Sequence, residues 1–166
     1  MKAFRIVTAG ILCAWAVFIF IMSSQTAEKS SAVSGGLIEW FLQYSFPDFQ
    51  SFSVENQTAL IETFQFLFRK TAHFMIYGVL GVFSFLTFVT YQKFLFRIRL
   101  AISSLVCLTY AITDEIHQIF VAGRSGELRD VMIDFLGALL GILLLAAFVR
   151  LIQPLYRKVR YDGKEK

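Results

Sequence analysis

The sequence is poor in charge and in cysteine. Charged residues make up 17% of the 166 residues, whereas a soluble domain usually carries about 25%. The two cysteines, Cys13 and Cys107, both lie inside apolar runs, which argues against a disulfide or a cysteine-based metal site. No serine or cysteine stands in a recognisable nucleophile motif, and no nucleic-acid-binding motif occurs. These scarcities argue against a soluble, a disulfide-stabilised or a nucleic-acid-binding domain.

Hydrophobic residues, in contrast, make up 57% of the chain. They form four apolar runs, at about residues 4–22, 72–91, 100–121 and 131–152, each long enough to cross about 30 Å of hydrocarbon as a helix. The first run exceeds the usual ~7–15 residue core of a signal peptide, so we interpret it as a retained span. The runs predict an all-α membrane protein, a four-transmembrane-helix bundle formed by a single domain of residues 1–152.

The segment 23–71 between the first two spans contains helical patterns of its own. Trp40 and Tyr44 stand in an apolar stretch that is typical of a helix lying in the membrane interface. Ser53 is a candidate N-cap, and apolar residues recur behind it at helical spacing. We therefore predict an amphipathic, interfacial helical segment here, on the outer side of the membrane, and a basic cytoplasmic tail at 153–166.

Lysine and arginine are distributed unevenly between the two sides of these spans. With the N-terminus inside, eleven Lys and Arg lie on the inner side and five on the outer side. Because basic residues accumulate in cytoplasmic loops, both termini are predicted to be cytoplasmic. The net charge of +4 then matches anionic lipid and not nucleic acid.

A cluster of ionisable residues lies at the end of the third span. Asp114, His117 and Gln118 share one helix face, and Glu115 points about 100° away. A carboxylate and an imidazole one turn apart share a proton or hold a metal. Because ionisable residues are costly within a membrane, such a cluster is by default a candidate functional site.

The second and fourth spans carry matching clusters near the same membrane boundary. Arg69, His73 and Tyr77 follow one another at intervals of four residues and share one face of the second span. Asp130 and Asp134 lie on the glycine stripe of the fourth span, which is expected to face a neighbouring helix. Short connections make these spans neighbours, so we predict that the clusters converge on one cavity.

A glycine-containing turn, Val121 to Asp130, connects the third and fourth spans. Arg124 lies in this turn, where a guanidinium suits a planar anion such as phosphate or carboxylate. Alternatively, Arg124 forms an ion pair with Glu127 or Asp130 and has no further role.

These motifs together resemble the VanZ-like family of bacterial membrane proteins. The resemblance covers about residues 4–150 and includes Ser23-Ser24-Gln25 after the first span. It implies the bacterial cytoplasmic membrane, a role in the cell envelope and low-level resistance to teicoplanin and related lipoglycopeptides. Where the family often has an acidic residue before the tyrosine, this chain has Ile76. The motif residues that carry the resemblance are His73, Tyr77, Asp114, Glu115, His117, Gln118, Arg124, Asp130 and Asp134.

Three hypotheses remain open. The first is an enzyme that acts on an envelope lipid or a lipid-linked cell-wall precursor, with a variant in which Asp114, His117, Asp130 or Asp134 holds a divalent metal. The second is a non-catalytic membrane protein that binds a lipid or a lipoglycopeptide and limits antibiotic access. The third is a structural bundle. The candidate catalytic residues are His73, Asp114, Glu115, His117 and Asp134, and the candidate substrate-binding residues are Arg69, Tyr77, Gln118, Arg124 and Asp130.

Overall fold

The described part of the chain, residues 2–162 of a computed structural model, is helical and contains no strand. Five α-helices follow one another along the chain, with one 3₁₀ turn at Phe49–Ser51. The helices are α1 (Lys2–Ser23), α2 (Ala27–Ser45), α3 (Val54–Val89), α4 (Phe96–Gln118) and α5 (Leu128–Asp162).

Four of these helices are long and apolar enough to cross a membrane. They are α1, α3, α4 and the Leu128–Gln153 part of α5. The all-α, four-span fold predicted from the apolar runs is therefore confirmed. The backbone of α5 continues as helix to Asp162, into the segment that the sequence assigns to a basic tail.

The helices α2 and α3 are longer than the sequence patterns require. α3 runs without a break for 36 residues, about 54 Å at 1.5 Å per residue, so the amphipathic segment and the second span form one helix. Ser53 caps its start by accepting the Asn56 N–H at 3.4 Å. α2 packs against the first part of α3 through an apolar cluster. This cluster joins Ile38, Leu42 and Phe49 to Leu60, Ile61 and Phe64.

Glycines bring α3 and α5 into backbone contact. A Cβ added at Gly141 would collide with the Gly78 carbonyl, and one at Gly137 would collide with the Phe74 carbonyl. Gly81 meets the Ala138 carbonyl in the same way. Small residues of this kind allow helices to approach closely in membranes. The resulting seam fixes the register of α5 against α3.

The bundle has two chemically different ends. We call the end with Asp114, Asp130 and Asp134 the carboxylate end; there α1 and α4 end and α5 begins. The opposite end, with Arg5 and Arg99, is called the arginine end. Ser23 meets Asp114 at the first, and Arg5 meets the Thr90 carbonyl at the second.

Candidate functional site

Asp114 lies at the centre of the carboxylate end, and its side chain joins three helices. Its Oδ2 accepts hydrogen bonds from Ser23 Oγ at 2.8 Å, from the Tyr77 hydroxyl at 3.0 Å and from Gln118 Nε2 at 3.3 Å. Only 3% of Asp114 is exposed, and its Oδ1 has no partner among the described residues. Three donors directed at one buried oxygen stabilise a carboxylate in this position.

His73 and Asp134 form a second pair nearby. His73 Nδ1 lies 3.4 Å from Asp134 Oδ1, without the alignment of a hydrogen bond, and neither Asp134 oxygen has a hydrogen-bond partner in the described part of the chain. Asp134 is 1% exposed, whereas a quarter of the His73 side chain, 24%, is accessible. The pair therefore presents an imidazole that is backed by a buried carboxylate, the arrangement that orients histidine in acid–base sites.

Glu115 has a different position from Asp114, as expected from its rotation about the helix. Its Oε1 accepts the backbone N–H of Glu127 at 2.6 Å, and the side chain is buried. This bond ties the end of α4 to the residue that precedes α5. Glu115 thereby holds the connecting turn in place, and it does not line the cavity described below.

Three consecutive polar residues at the end of α1, Ser23 to Gln25, contact three of the candidate residues. Ser23 donates to Asp114, and Ser24 is hydrogen-bonded to His117 Nε2 at 3.1 Å. The Gln25 carbonyl accepts from Arg124 Nε at 3.2 Å. The sequence offered a signal for these partners, since Ser23, Ser24 and Gln25 follow the first apolar run directly. The pairing itself spans more than 90 residues of chain.

His117 is held by α1 and lies apart from the cavity. Its ring stacks on Phe20 with centroids 4.4 Å apart, and Ser24 engages its Nε2. His117 is not among the residues that line the cavity. Asp114 and His117, predicted from spacing to share one face, therefore contact two consecutive serines, Ser23 at the end of α1 and Ser24 directly after it.

Asp130 is paired with a residue outside the candidate set. Lys70 donates to Asp130 Oδ1, and both side chains are largely covered. This ion pair joins α3 to the start of α5. It leaves Arg69, the neighbouring cation on α3, turned toward the cavity.

A cavity of about 200 Å³ opens beside these groups. Its walls come from the end of α1, the first half of α2 and the part of α3 around His73, and Arg124 closes one side. Ser30, Ser31 and Ser34 of α2 contribute hydroxyls to it. The apolar lining residues are Ile19, Met22, Leu37, Phe68, Ala72 and Ile76. Ser23 and Tyr77, which bond Asp114, also reach the cavity wall.

Two guanidinium groups, those of Arg69 and Arg124, line the same cavity. Burial is the main cause that lowers the pKa of Arg124 from its usual value, and the nearby positive charge of Arg69 is the next. Arginine stays protonated despite such shifts because its usual pKa exceeds 12. Two cations held together in a partly covered site favour an anionic ligand.

The turn that carries Arg124 is fixed by its backbone. Gly123 has a φ of 75°, a conformation that favours glycine. The Ala122 carbonyl accepts the Ala27 N–H at 3.3 Å, which joins this turn to the first residue of α2. Thr26 caps α2 by accepting the Lys29 N–H. These local bonds hold Arg124 against the segment that connects α1 to α2.

The described residues include no group of three or more His, Cys, Asp or Glu side chains arranged to hold a metal ion. The carboxylates are instead distributed among different partners. Asp114 is bonded to hydroxyl and amide groups, Glu115 to a backbone N–H, and Asp130 to a lysine.

Comparison with known proteins gives one match. The model of the VanZ/LLP1 family matches residues 8–150, nearly the whole chain. The chain belongs to the VanZ-like family. No curated protein and no solved structure matches it. The matched range contains every candidate residue from Arg69 to Asp134 and also Ser23 to Gln25, so the VanZ-like domain includes the complete carboxylate end.

Proposed function

We propose that this VanZ-like protein binds an anionic envelope lipid, or a lipid-linked cell-wall precursor, in the cavity at the carboxylate end. The single observation that carries the proposal is the pairing of Arg69 and Arg124 on one cavity. Its other walls consist of hydroxyl, amide and apolar side chains and of His73. The guanidinium groups suit a phosphate, and the serines suit further headgroup oxygens. The apolar residues suit the first part of a lipid chain.

The residues that could act on such a ligand as an acid or a base are His73 and its neighbour Asp134. His73 lines the cavity, and its Nδ1 faces the buried Asp134 carboxylate. The carboxylate lies against one ring nitrogen of the imidazole, and the other ring nitrogen, Nε2, transfers a proton to or from the bound lipid. We assign the acid–base role to His73 and the positioning role to Asp134.

A second candidate function is binding without catalysis, which limits the access of a lipoglycopeptide to its target. One observation favours it: most acidic side chains of the site are already bonded within the protein. Asp114 accepts three hydrogen bonds, and Glu115 and Asp130 are each engaged. A site with its charges satisfied in this way is suited to recognition.

Binding is tested with purified protein in uncharged nanodiscs, titrated with a polyprenyl phosphate and with the matching uncharged polyprenol. We expect the phosphate to bind at least tenfold more tightly, and Arg124→Gln or Arg69→Gln to remove most of that preference. Arg129→Gln is the matched control, because Arg129 is exposed and does not line the cavity. Equal binding of phosphate and alcohol by the wild-type protein would contradict the proposal.

The same samples separate the two candidate functions. Mass spectrometry of the recovered lipid detects any conversion, and the enzyme hypothesis predicts that His73→Gln retains binding but loses conversion. Tight binding with an unchanged lipid supports the non-catalytic alternative. In cells, both versions predict that expression raises the inhibitory concentration of teicoplanin and that Arg124→Gln removes this increase.

The proposal includes an orientation, with both termini in the cytoplasm and the carboxylate end facing outward. The distribution of Lys and Arg supports it. An impermeant thiol reagent should label Gly126→Cys in whole cells and Lys93→Cys only after lysis. Labelling of Gly126→Cys only from the cytoplasmic side would contradict the orientation.

A further inference from the structure

We infer that the arginine end contains a second binding site, specific for the phosphate headgroup of an anionic membrane phospholipid. Its cavity is lined by Arg99 of α4, while Arg5 of α1 bonds the end of α3 and Arg150 of α5 lies over the Phe96 ring that Arg99 also approaches. It shares no residue with the cavity at the carboxylate end, so it stands whether or not the proposed function is correct.

Two of the arginines bond adjacent carbonyls at the end of α3. Arg5 donates to the Thr90 carbonyl and Arg99 to the Val89 carbonyl, both at 2.9 Å. The C-terminal end of a helix carries partial negative charge, which these cations neutralise. Each guanidinium uses only some of its five N–H donors in these bonds. The buried Nε of Arg5 and of Arg99 has no partner among the described residues.

The third arginine, Arg150, contacts the same aromatic ring as Arg99 does. Arg150 of α5 lies over the Phe96 ring, 4.3 Å from its centroid, and Arg99 lies 5.6 Å from the same centroid. Phe96 therefore contacts two guanidinium groups from different helices. Arg5 stacks likewise on Tyr91, at 4.4 Å. Stacking holds these long side chains in place.

No acidic residue stands near these arginines in the sequence. Asp and Glu are absent from residues 1–27, 63–113 and 135–161, the segments that supply Arg5, Arg99 and Arg150. The carboxylates of the described spans lie in the other halves of these helices: Asp114 and Glu115 in α4, Asp130 and Asp134 in α5, and Glu55 and Glu62 near the start of α3. Among the described side chains, no carboxylate forms an ion pair with these three arginines.

A cavity of about 530 Å³ adjoins Arg99. Its polar lining residues are Arg99, Gln92 and Gln153, and the other residues, which include Val89 and Phe148, are apolar. A phosphate needs cationic and amide donors, and an acyl chain needs an apolar wall; this lining supplies both. Basic pockets between helices bind anionic lipid headgroups by the same chemistry. A phospholipid fits these features better than a soluble phosphate, because the apolar wall has no role toward a free ion.

The test is native mass spectrometry of the delipidated full-length protein, titrated with phosphatidylglycerol and with phosphatidylcholine. We expect one phosphatidylglycerol to bind with about tenfold preference over the zwitterionic lipid. Arg99→Gln and Arg150→Gln should each reduce its affinity about tenfold, the effect of losing one charge-assisted hydrogen bond. Arg97→Gln, an exposed neighbour with the same charge change, should bind as the wild type does. Because Arg99 also caps α3, the Arg150 variant is the one that tests binding without loss of the cap.

Three outcomes would overturn the inference. The first is equal binding of the two lipids by the wild-type protein. The second is an equal loss in Arg97→Gln, which would indicate general attraction of charge at this end. The third is displacement of phosphatidylglycerol by millimolar inorganic phosphate, which would identify a soluble anion as the ligand. Retention of the lipid by Arg124→Gln would confirm that it does not occupy the cavity at the carboxylate end.

Discussion

The two ends of this bundle accommodate charge by opposite means. At the carboxylate end, Lys70 of α3 pairs with Asp130 of α5, and Asp114 of α4 accepts hydrogen bonds from hydroxyl and amide groups. Asp114 and Asp134 are almost completely buried. At the arginine end, the cations bond helix carbonyls and aromatic rings. A buried carboxylate requires donors of defined geometry, whereas an arginine at a membrane boundary is satisfied by diverse partners. Defined geometry is therefore concentrated at the carboxylate end, where we place the function.

The difference between the ends also appears in what each leaves unbonded. Asp114 and Asp134 retain carboxylate oxygens without hydrogen-bond partners among the described residues, beside a cavity that contains His73. Arg5 and Arg99 retain N–H donors. In the described part of the chain, one end thus has unpaired acceptors near an imidazole, and the other has buried, unpaired donors, one of them on Arg99, which lines a cavity. The first suits proton transfer or ligand recognition, and the second suits an anion.

The largest effect is expected from the seam on which both ends depend. Gly141→Ala places a methyl group against the Gly78 carbonyl of α3, and such overpacking costs about 1–3 kcal/mol. We expect a loss of about 3 kcal/mol in reversible unfolding in mixed micelles, and impaired function at both ends. Gly10→Ala is the control, because a Cβ there meets no atom within 4 Å. Equal stability of the two variants would contradict the seam.

The next largest effect is expected from a substitution at the carboxylate end alone. Asp114→Asn keeps the shape of the side chain but removes the charge that three donors stabilise. We expect a stability loss of about 1–2 kcal/mol and complete loss of the teicoplanin phenotype, with normal accumulation in the membrane. Asp48→Asn, at an exposed site, should change neither. If Asp114→Asn loses the phenotype only because the protein fails to accumulate, the structural hypothesis is favoured.

A smaller effect is expected at the arginine end. Arg5→Gln removes a hydrogen bond to the Thr90 carbonyl and a cation–π contact with Tyr91. We expect a loss of about 1–1.5 kcal/mol in the same unfolding assay, with ligand binding at the carboxylate end unchanged. The exposed Lys2→Gln serves as the control. Loss of binding in Arg5→Gln would show that the two ends are coupled.

The smallest effect is expected from the Lys70–Asp130 ion pair. The two side chains retain 16% and 20% exposure, and partly solvated ion pairs contribute about 0.2–1 kcal/mol. Lys70→Gln should therefore reduce stability by no more than about 1 kcal/mol, and the loss should shrink with added salt. Lys29→Gln, at an exposed position of α2, is the comparison. A loss that salt does not change would mean that the pair is effectively buried.

The fold could be predicted from the sequence because membrane spans depend on local composition. The four apolar runs needed no tertiary information, and Ser53 was identified as a helix cap from its position alone. The continuity of α3 through residues 54–89 was less visible, since Arg69 and Lys70 interrupt the apolar run. Both cations have defined positions in the folded chain: Arg69 lines the cavity, and Lys70 forms an ion pair with Asp130.

The candidate site could be predicted only in part. Helical periodicity placed Arg69, His73 and Tyr77 on one face, and these three residues do line the cavity. Periodicity could not show what faces them, because partners such as Ser23 and Gln25 come from distant segments. Periodicity also grouped His117 with Asp114. In the structure the two side chains have different partners, because Ser23 bonds Asp114 and Ser24 bonds His117. The role of Glu115 in the connecting turn depends on a backbone N–H, which no sequence pattern reveals.

The most direct test of the central claim is to locate a bound lipid phosphate. A polyprenyl phosphate with a photoreactive group near its headgroup should label residues that face the cavity on α2 and α3, such as Leu37, Phe68 and Ile76. Arg69→Gln and Arg124→Gln should abolish the labelling, and Arg129→Gln should preserve it. Labelling confined to Met75, an exposed residue of α3 outside the cavity lining, and insensitive to Arg69 and Arg124 would contradict the account.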